Sequence, residues 1–256
     1  MSVEFAREGT IAIITLNRPE KLNAMTPEMY AEITRRLQEV DGDDDIWVGI
    51  ITGAGTRAFS AGADLTTLHQ GEAGPGIKWH PLRQDRFDMG LPVSKPLIAA
   101  IEGYCLAGGL ELALICDIRI AGEGARFGCP EVRWNVLHGY GALALPRLIG
   151  LSRAMYLLLT GELVDAKEAL RLGLVHEVVA QGEALAQART LAERICRNGP
   201  LAVRMTKELA LRSFEVPLAE GLRLYNEFRR LVHMSEDQAE GVRAFRERRE
   251  PRYRGR

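Results

Sequence analysis

The sequence predicts an α/β fold, and three observations carry that prediction. Strand-like and helical segments alternate from the N-terminus to about Val179. Two small-residue turns, Ala61-Gly62-Ala63-Asp64 and Ala107-Gly108-Gly109, follow strand-like runs. From Glu183 onward the pattern is helical, with no strand signal among the helices.

Val3–Ala6 and Ile11–Leu16 read as a hairpin turning around Glu8-Gly9. Thr26-Pro27 opens a helix, with a candidate N-cap and proline at the first helical position. Met29, Ile33, Leu37 and Val40 recur along it at helical spacing. The acidic run Asp41–Asp45 then reads as a solvated loop, because it lacks the glycine and terminal Glu of a calcium loop. Ile46–Thr52 is a buried strand leading into glycine-rich Gly53–Gly62. Leu68–Leu91, rich in Gly, Pro, His, Gln and Asp, is expected to be irregular. Pro96–Ile101 is the next strand, Leu110–Cys116 a short helix and Asp117–Ala121 a strand again.

Helices are expected over Glu183–Arg197, Leu201–Arg212, Leu218–Met234 and Glu236–Arg248. Asn198-Gly199-Pro200 breaks the pattern, so residues 1–199 are expected to form a core and 200–256 a helical C-terminal part. Leu218, Leu222, Tyr225 and Leu231 lie at helical spacing on a segment without a sheet of its own. A face of that kind is buried within the chain or against a partner.

The chain has 256 residues, with 33 Lys plus Arg against 34 Asp plus Glu, a formal net charge of −1. That balance gives no general case for binding nucleic acid or an anionic membrane surface. Arginines 246, 248, 249, 252, 254 and 256 lack an aromatic stacking platform. They read as a solvated end or a subunit contact rather than a nucleic-acid arm. The most apolar stretch, Leu97–Cys116, contains Glu102, Glu111 and two adjacent glycines, and is a poor membrane span. Cys105, Cys116, Cys129 and Cys196 show no metal-ligand spacing and are expected to be reduced. Met1–Thr15 has no signal-peptide pattern, so a cytoplasmic protein is expected. The five histidines (69, 80, 138, 176 and 233) are scattered without ligand spacing, and no metal is expected.

Thr52-Gly53-Ala54-Gly55-Thr56-Arg57-Ala58 fits a dinucleotide-binding fingerprint, but its context fails. No apolar helical face follows, and no acidic residue ends a second strand about 20 positions on. Ser60 lacks the G-x-S-x-G setting of a nucleophile elbow. The two glycine turns instead suit an oxyanion hole, in which converging backbone amides hold an oxygen that becomes negative. Glu111 lies one helical turn beyond Gly108, where a carboxylate could reach a substrate held by that amide. It reads equally well as a first-turn glutamate complementing the helix dipole. Glu131, after Pro130, reads by itself as a loop carboxylate.

The stretches Leu16–Ala24, Ala58–Leu65 and Gly103–Ala113 resemble the enoyl-CoA hydratase/isomerase (crotonase) family. Cys116–Ala121 running into Phe127–Glu131, Leu145–Gly150 and Leu170–Val175 extend the likeness over essentially the whole chain. The resemblance implies a crotonase-like spiral of ββα units with a helical C-terminal part, assembled as a trimer or dimer of trimers. It implies that the amides of Ala63 and Gly108 hold an acyl-CoA thioester oxygen. Lys21, Leu22, Ala24, Ala61, Asp64 and Leu65 would lie along the CoA. Glu111 and Glu131 match the two glutamates of the family's hydratases, which points to reversible addition of water to a 2-enoyl-CoA. Isomerase, dehydratase, dehalogenase or hydrolase chemistry, or a non-catalytic RNA-associated role, are the alternatives.

In the implied reaction one glutamate removes a proton from water and the other supplies a proton to C2. Glu111 as the main base and Glu131 as the donor is the preferred split, which sequence leaves open. Neither a metal nor a redox cofactor is required, since CoA belongs to the substrate. After Glu131 the chain departs from the family's glycine-rich turn. Asn135 stands where glycine is usual, His138 replaces a proline and Tyr140 enters the turn. Trp134, His138 and Tyr140 are therefore candidate acyl-pocket residues. Thr66 stands where many relatives carry a lysine near the CoA phosphates.

Overall fold

Alternating apolar residues give the central strands two buried faces, and the chain covers both. The computed structural model describes residues 2–68 and 84–256. Its strands, in chain order, are β1 (Val3–Glu8), β2 (Ile11–Leu16), β3 (Val48–Gly53), β4 (Ala58–Ser60) and β5 (Leu97–Ile101). There follow β6 (Tyr104–Leu106), β7 (Ile118–Gly122), β8 (Arg126–Gly128), β9 (Leu163–Asp165) and β10 (Glu177–Val179). One sheet has the order β1-β2-β3-β5-β7-β10 and the other β4-β6-β8-β9. The pairs β1–β2 and β8–β9 are antiparallel, and the rest of both sheets is parallel. Strands β3, β5 and β7 enter the first sheet, and each is followed by a strand of the second, β4, β6 and β8. That stepwise alternation is the expected spiral.

The helices are α1 (Pro27–Gly42), α2 (Leu65–Leu68), α3 (Gly108–Leu114), α4 (Tyr140–Ile149) and α5 (Leu151–Thr160). They continue with α6 (Ala166–Leu172), α7 (Ala184–Cys196), α8 (Pro200–Arg212), α9 (Leu218–His233) and α10 (Glu236–Glu247). Period-two burial divides the first sheet between two cores. Ala12, Ile14, Leu16, Ile51, Ala99 and Ile101 join the main core with Met29, Ile33, Leu37 and Val40 of α1. Ile11, Ile13, Val48, Ile50, Ile98 and Ala100 face Ala184, Ala188 and Ala192 of α7. Those alanines let the helix backbone approach the sheet closely. Buried Glu102, just after β5, accepts from the amides of Gly182 (3.0 Å) and Ala184 (3.1 Å) and so anchors the start of α7.

Thr26 caps α1 by accepting from the Met29 amide, as the sequence predicts. The acidic run is corrected at its start. Asp41 and Gly42 still belong to α1, and Asp41 accepts from the amide and hydroxyl of Ser94, both at 2.7 Å. Most of the expected irregular segment, with His69 and His80, lies outside the described residues. At its far end Phe87–Met89 forms a single 3-10 turn. The rejected dinucleotide motif runs into strand β4 instead of a helix. No helix among the described residues is long and apolar enough to cross a membrane.

Candidate functional site

Segment 22–25 and the turn after β4 are knitted together by backbone bonds. The Ala61 amide donates to Leu22 O (3.0 Å), Met25 to Gly62 O (2.8 Å) and Asp64 to Met25 O (2.8 Å). Ser60, excluded above as a nucleophile, donates its hydroxyl to Asn23 O and accepts from the Gly62 amide. The buried Asn23 side chain donates to Ala54 O and Ala58 O and accepts from the Arg18 amide. Lys21, Leu22, Ala24, Ala61, Asp64 and Leu65, expected along the CoA, therefore share one ridge. Arg18 braces it through an ion pair with Asp64 (3.1 Å) and a bond to Ala24 O (2.8 Å). The Thr66 hydroxyl, then Arg18, hold the Asp64 carboxyl below its usual range.

The two glycine turns meet. Gly62 has φ +95°, and a Cβ there would come within 3.1 Å of the Gly108 amide nitrogen. Only glycine permits both the dihedral and the approach. Ala107, before Gly108, sits at φ +53°, an unusual conformation for a residue with a Cβ. Among the described residues the amides of Ala63 and Gly108 have no acceptor within the chain. Tyr30 of α1, stacked on Phe87 at 5.1 Å, brings its hydroxyl over Gly108. Burial, then the charge of Glu111, raises the Tyr30 hydroxyl well above its ordinary range, so it stays protonated.

Both glutamates are gripped by the turn leading into α4. Glu111, 8% exposed on α3, accepts from the Gly141 amide at 3.2 Å. His138, 4% exposed, meets Glu131 Oε1 through Nδ1, which also lies 3.9 Å from Glu111 Oε1. Its Nε2 lies 3.3 Å from Cys129 Sγ. Gly141 is required here, because a Cβ would collide with the imidazole. Asn135 adopts φ +55° and closes the 3-10 turn Pro130–Trp134 that carries Glu131. Oε2 of Glu131 is buried with no hydrogen-bond partner among the described residues. Burial pushes the Glu111 carboxyl up, while His138 and the Gly141 amide partly oppose the rise. Two neighbouring carboxyls with unlike surroundings can therefore divide proton removal and proton donation.

Of the three candidate acyl-pocket residues, only His138 touches the glutamates. Trp134 is 70% exposed, and half-buried Tyr140 packs against the main core beside Gly90. Sequence reasoning missed Tyr30, Cys129 and Gly141. Tyr30 gives no motif signal, because it is one residue off the buried stripe of α1. Cys129 and Gly141 acquire meaning only through contacts with His138.

The enoyl-CoA hydratase/isomerase family model matches residues 6–256. A probable enoyl-CoA hydratase of Mycobacterium bovis is 44% identical, over 96% of this chain and 95% of its own. An (E)-benzylidenesuccinyl-CoA hydratase of Thauera aromatica is 40% identical over 100% of both chains. The crystal structure of an enoyl-CoA hydratase from Bacillus anthracis superposes with a TM-score of 0.90 at 35% identity, again over 100% of both chains. The matched span includes both glycine turns and the segments bearing Glu111 and Glu131, and the chain belongs to the enoyl-CoA hydratase/isomerase family.

Proposed function

We propose that the protein is an enoyl-CoA hydratase, adding water reversibly across C2 and C3 of a 2-enoyl-CoA thioester. One observation carries the reading: two shielded carboxylates, both held by the His138–Gly141 turn, with Glu131 Oε2 left for a ligand. The thioester oxygen is assigned to the Ala63 and Gly108 amides, which stabilise the enolate-like charge as water bonds to C3. One glutamate takes a proton from that water and the other delivers a proton to C2. The CoA lies along Lys21, Leu22, Ala24, Ala61, Asp64 and Leu65. Addition of water is redox-neutral and needs only acid, base and oxyanion donors, so no cofactor or metal is invoked.

The same proposal makes residues 1–199 the catalytic core and 200–256 part of the assembly surface of a trimer or dimer of trimers. Exposed apolar side chains on α9 support that assignment. A cytoplasmic location suits the free thiols of Cys105, Cys116, Cys129 and Cys196. The test is hydration of crotonyl-CoA and of longer, branched and aryl-substituted enoyl-CoA thioesters, followed by loss of the conjugated thioester absorbance. A folded protein that turns over none of them refutes the reading.

A further inference from the structure

We propose that the Tyr30 hydroxyl is a third donor to the thioester oxygen, joining the Ala63 and Gly108 amides. The proposal rests on the hydratase reading of the site and deepens it, because it adds a side chain that touches the reacting group.

Helix α1 sets the ring. Its core stripe is Met29, Ile33, Leu37 and Val40, and Tyr30 follows Met29, about 100° further round the helix. Phe87 stacks on the ring with centroids 5.1 Å apart and planes 9° from parallel, and the Arg86 guanidinium lies over it at 5.8 Å. Stacking and cation–π contacts of this kind favour one placement of the ring. The hydroxyl then reaches Gly108. Gly108 is not at positive φ, so its backbone conformation does not demand glycine. The room does, because a Cβ there would collide with the Tyr30 hydroxyl and come within 3.4 Å of Met25 Cε.

A phenol placed this way is equipped to donate. The Tyr30 carbonyl accepts from the Thr34 hydroxyl, but the Tyr30 hydroxyl itself has no hydrogen-bond partner among the described residues. A Tyr O–H withdrawn from water normally finds one. Burial, then the charges of Glu111 and Asp88, keep its proton on oxygen, with Arg86 opposing. Beside the Gly108 amide, a 2-enoyl-CoA offers one strong acceptor, the thioester oxygen, since C2 and C3 accept no hydrogen bond. As water bonds to C3, the π pair moves onto that oxygen, and it returns to bond a proton at C2. A hydroxyl already aimed at the oxygen stabilises the charge by hydrogen bonding and keeps its own proton, so the balance of the hydration step is unchanged.

Tyr30→Phe removes one oxygen and keeps the ring that stacks on Phe87. Thermal denaturation of the ligand-free variant is expected to match wild type, because removing an unpartnered hydroxyl orphans no other group. A clear fall in Tm would show that the fold itself uses the hydroxyl, which overturns the proposal. Polarisation of the thioester is read with butyryl-CoA carrying ¹³C at the thioester carbon, a saturated ester that cannot be hydrated. Donors to its oxygen lower the C=O stretch in the isotope-edited infrared spectrum. Wild type is expected to lower the stretch of the bound ester below that of the free ester, and Tyr30→Phe to lose part of that shift.

With crotonyl-CoA, Tyr30→Phe is expected to lower kcat about 10- to 100-fold, the loss of one bond to a developing charge, with KM within a few-fold. A smaller shift together with slower turnover supports the proposal, and either without the other overturns it. Slower turnover with the full shift would place the hydroxyl on the water or on Glu111 instead of the thioester oxygen. Wild type that binds butyryl-CoA and lowers its stretch, yet hydrates no enoyl thioester, would sink the hydratase reading while the infrared shift still judged the Tyr30 contact. Wild type that leaves the stretch of the ester unmoved has no donor at that oxygen, and Tyr30 falls with the two amides.

Discussion

Glutamine at position 111 or 131 keeps the shape of the side chain and abolishes its proton transfer. Each substitution is expected to lower kcat ~10²–10⁴-fold while CoA-ester affinity stays within a few-fold. Two carboxylates acting on one water, as proposed, predict that the double variant loses far less than the product of the single losses. Steady-state kinetics decide, and near wild-type turnover in either single variant removes the two-glutamate mechanism. The Ala63 amide is tested by the pair Ala63→Pro and Ala63→Gly. The proline variant loses the donor, an effect of ~2.7–4 kcal/mol on transition-state stabilisation. The glycine variant should stay within roughly tenfold of wild type. If a folded, CoA-ester-binding proline variant matches the glycine variant, the Ala63 amide lies outside the oxyanion hole.

The attachment of α7 and the binding of the C-terminal tail each depend on buried or paired carboxylates. Glu102→Ala orphans the buried Ala184 donor, worth about 1–3 kcal/mol when left unpaired in the interior, and leaves the part-buried Gly182 amide to water. Urea unfolding at fixed protein concentration should show the loss, and an unchanged midpoint would mean that water replaces the carboxylate. In α10, Glu240 accepts both guanidinium nitrogens of Arg249 (2.6 and 3.0 Å) and the Arg252 amide (2.9 Å). Bonding to Arg249, reinforced by the Arg252 amide, lowers the Glu240 carboxyl from 4.5 to about 2. A depressed folded value places the full tie above about pH 4.5, and the tie fades as pH falls through about 2. Protection of the Arg252 amide, its exchange rate taken relative to the intrinsic rate at each pH, should therefore fall across that window. A flat profile would show that the tail is held by other contacts, such as the buried Asp237 carboxylate, which accepts from Arg254 and Gly255.

Two surfaces of the single chain expose more apolar area than its interior needs. Helix α9 has no buried residue, and Leu218 is 80% exposed on it. Near the site Leu137 is 89% exposed, with Trp134, Leu143 and Leu159 also open to solvent. Patches of this kind mark association surfaces. Light scattering at micromolar concentration is expected to give a trimer or hexamer. A monomer would refute the assembly and leave the fold untouched. Leu222→Glu, on the exposed face of α9, should weaken assembly before it changes secondary structure.

Periodicity made much of the molecule legible from the amino acids alone. The α1 stripe, the Thr26 cap, the break at Pro200 and the four last helices are local patterns that do not depend on distant neighbours. The same holds for the glycine turns, because a positive φ at Gly62 is a property of one residue. The resemblance brought Glu111 and Glu131 forward, though Glu111 alone read equally well as a dipole glutamate and Glu131 alone read as a loop carboxylate. Asp41 shows where local reading ends: its carboxylate is taken up by Ser94, 53 residues away, so the helix continues where charge density suggested a loop. The turn leading into α4 shows the same limit more sharply. By spacing alone His138 is one histidine among five, and the resemblance marks it only as a departure in the turn and an acyl-pocket candidate. Long-range packing set it between Cys129 and Glu131, with Gly141 making room for the ring and bonding Glu111. Hydrogen bonds and desolvation act over a few ångströms in space, and only the folded chain brings α1, α3 and the α4 turn within that range.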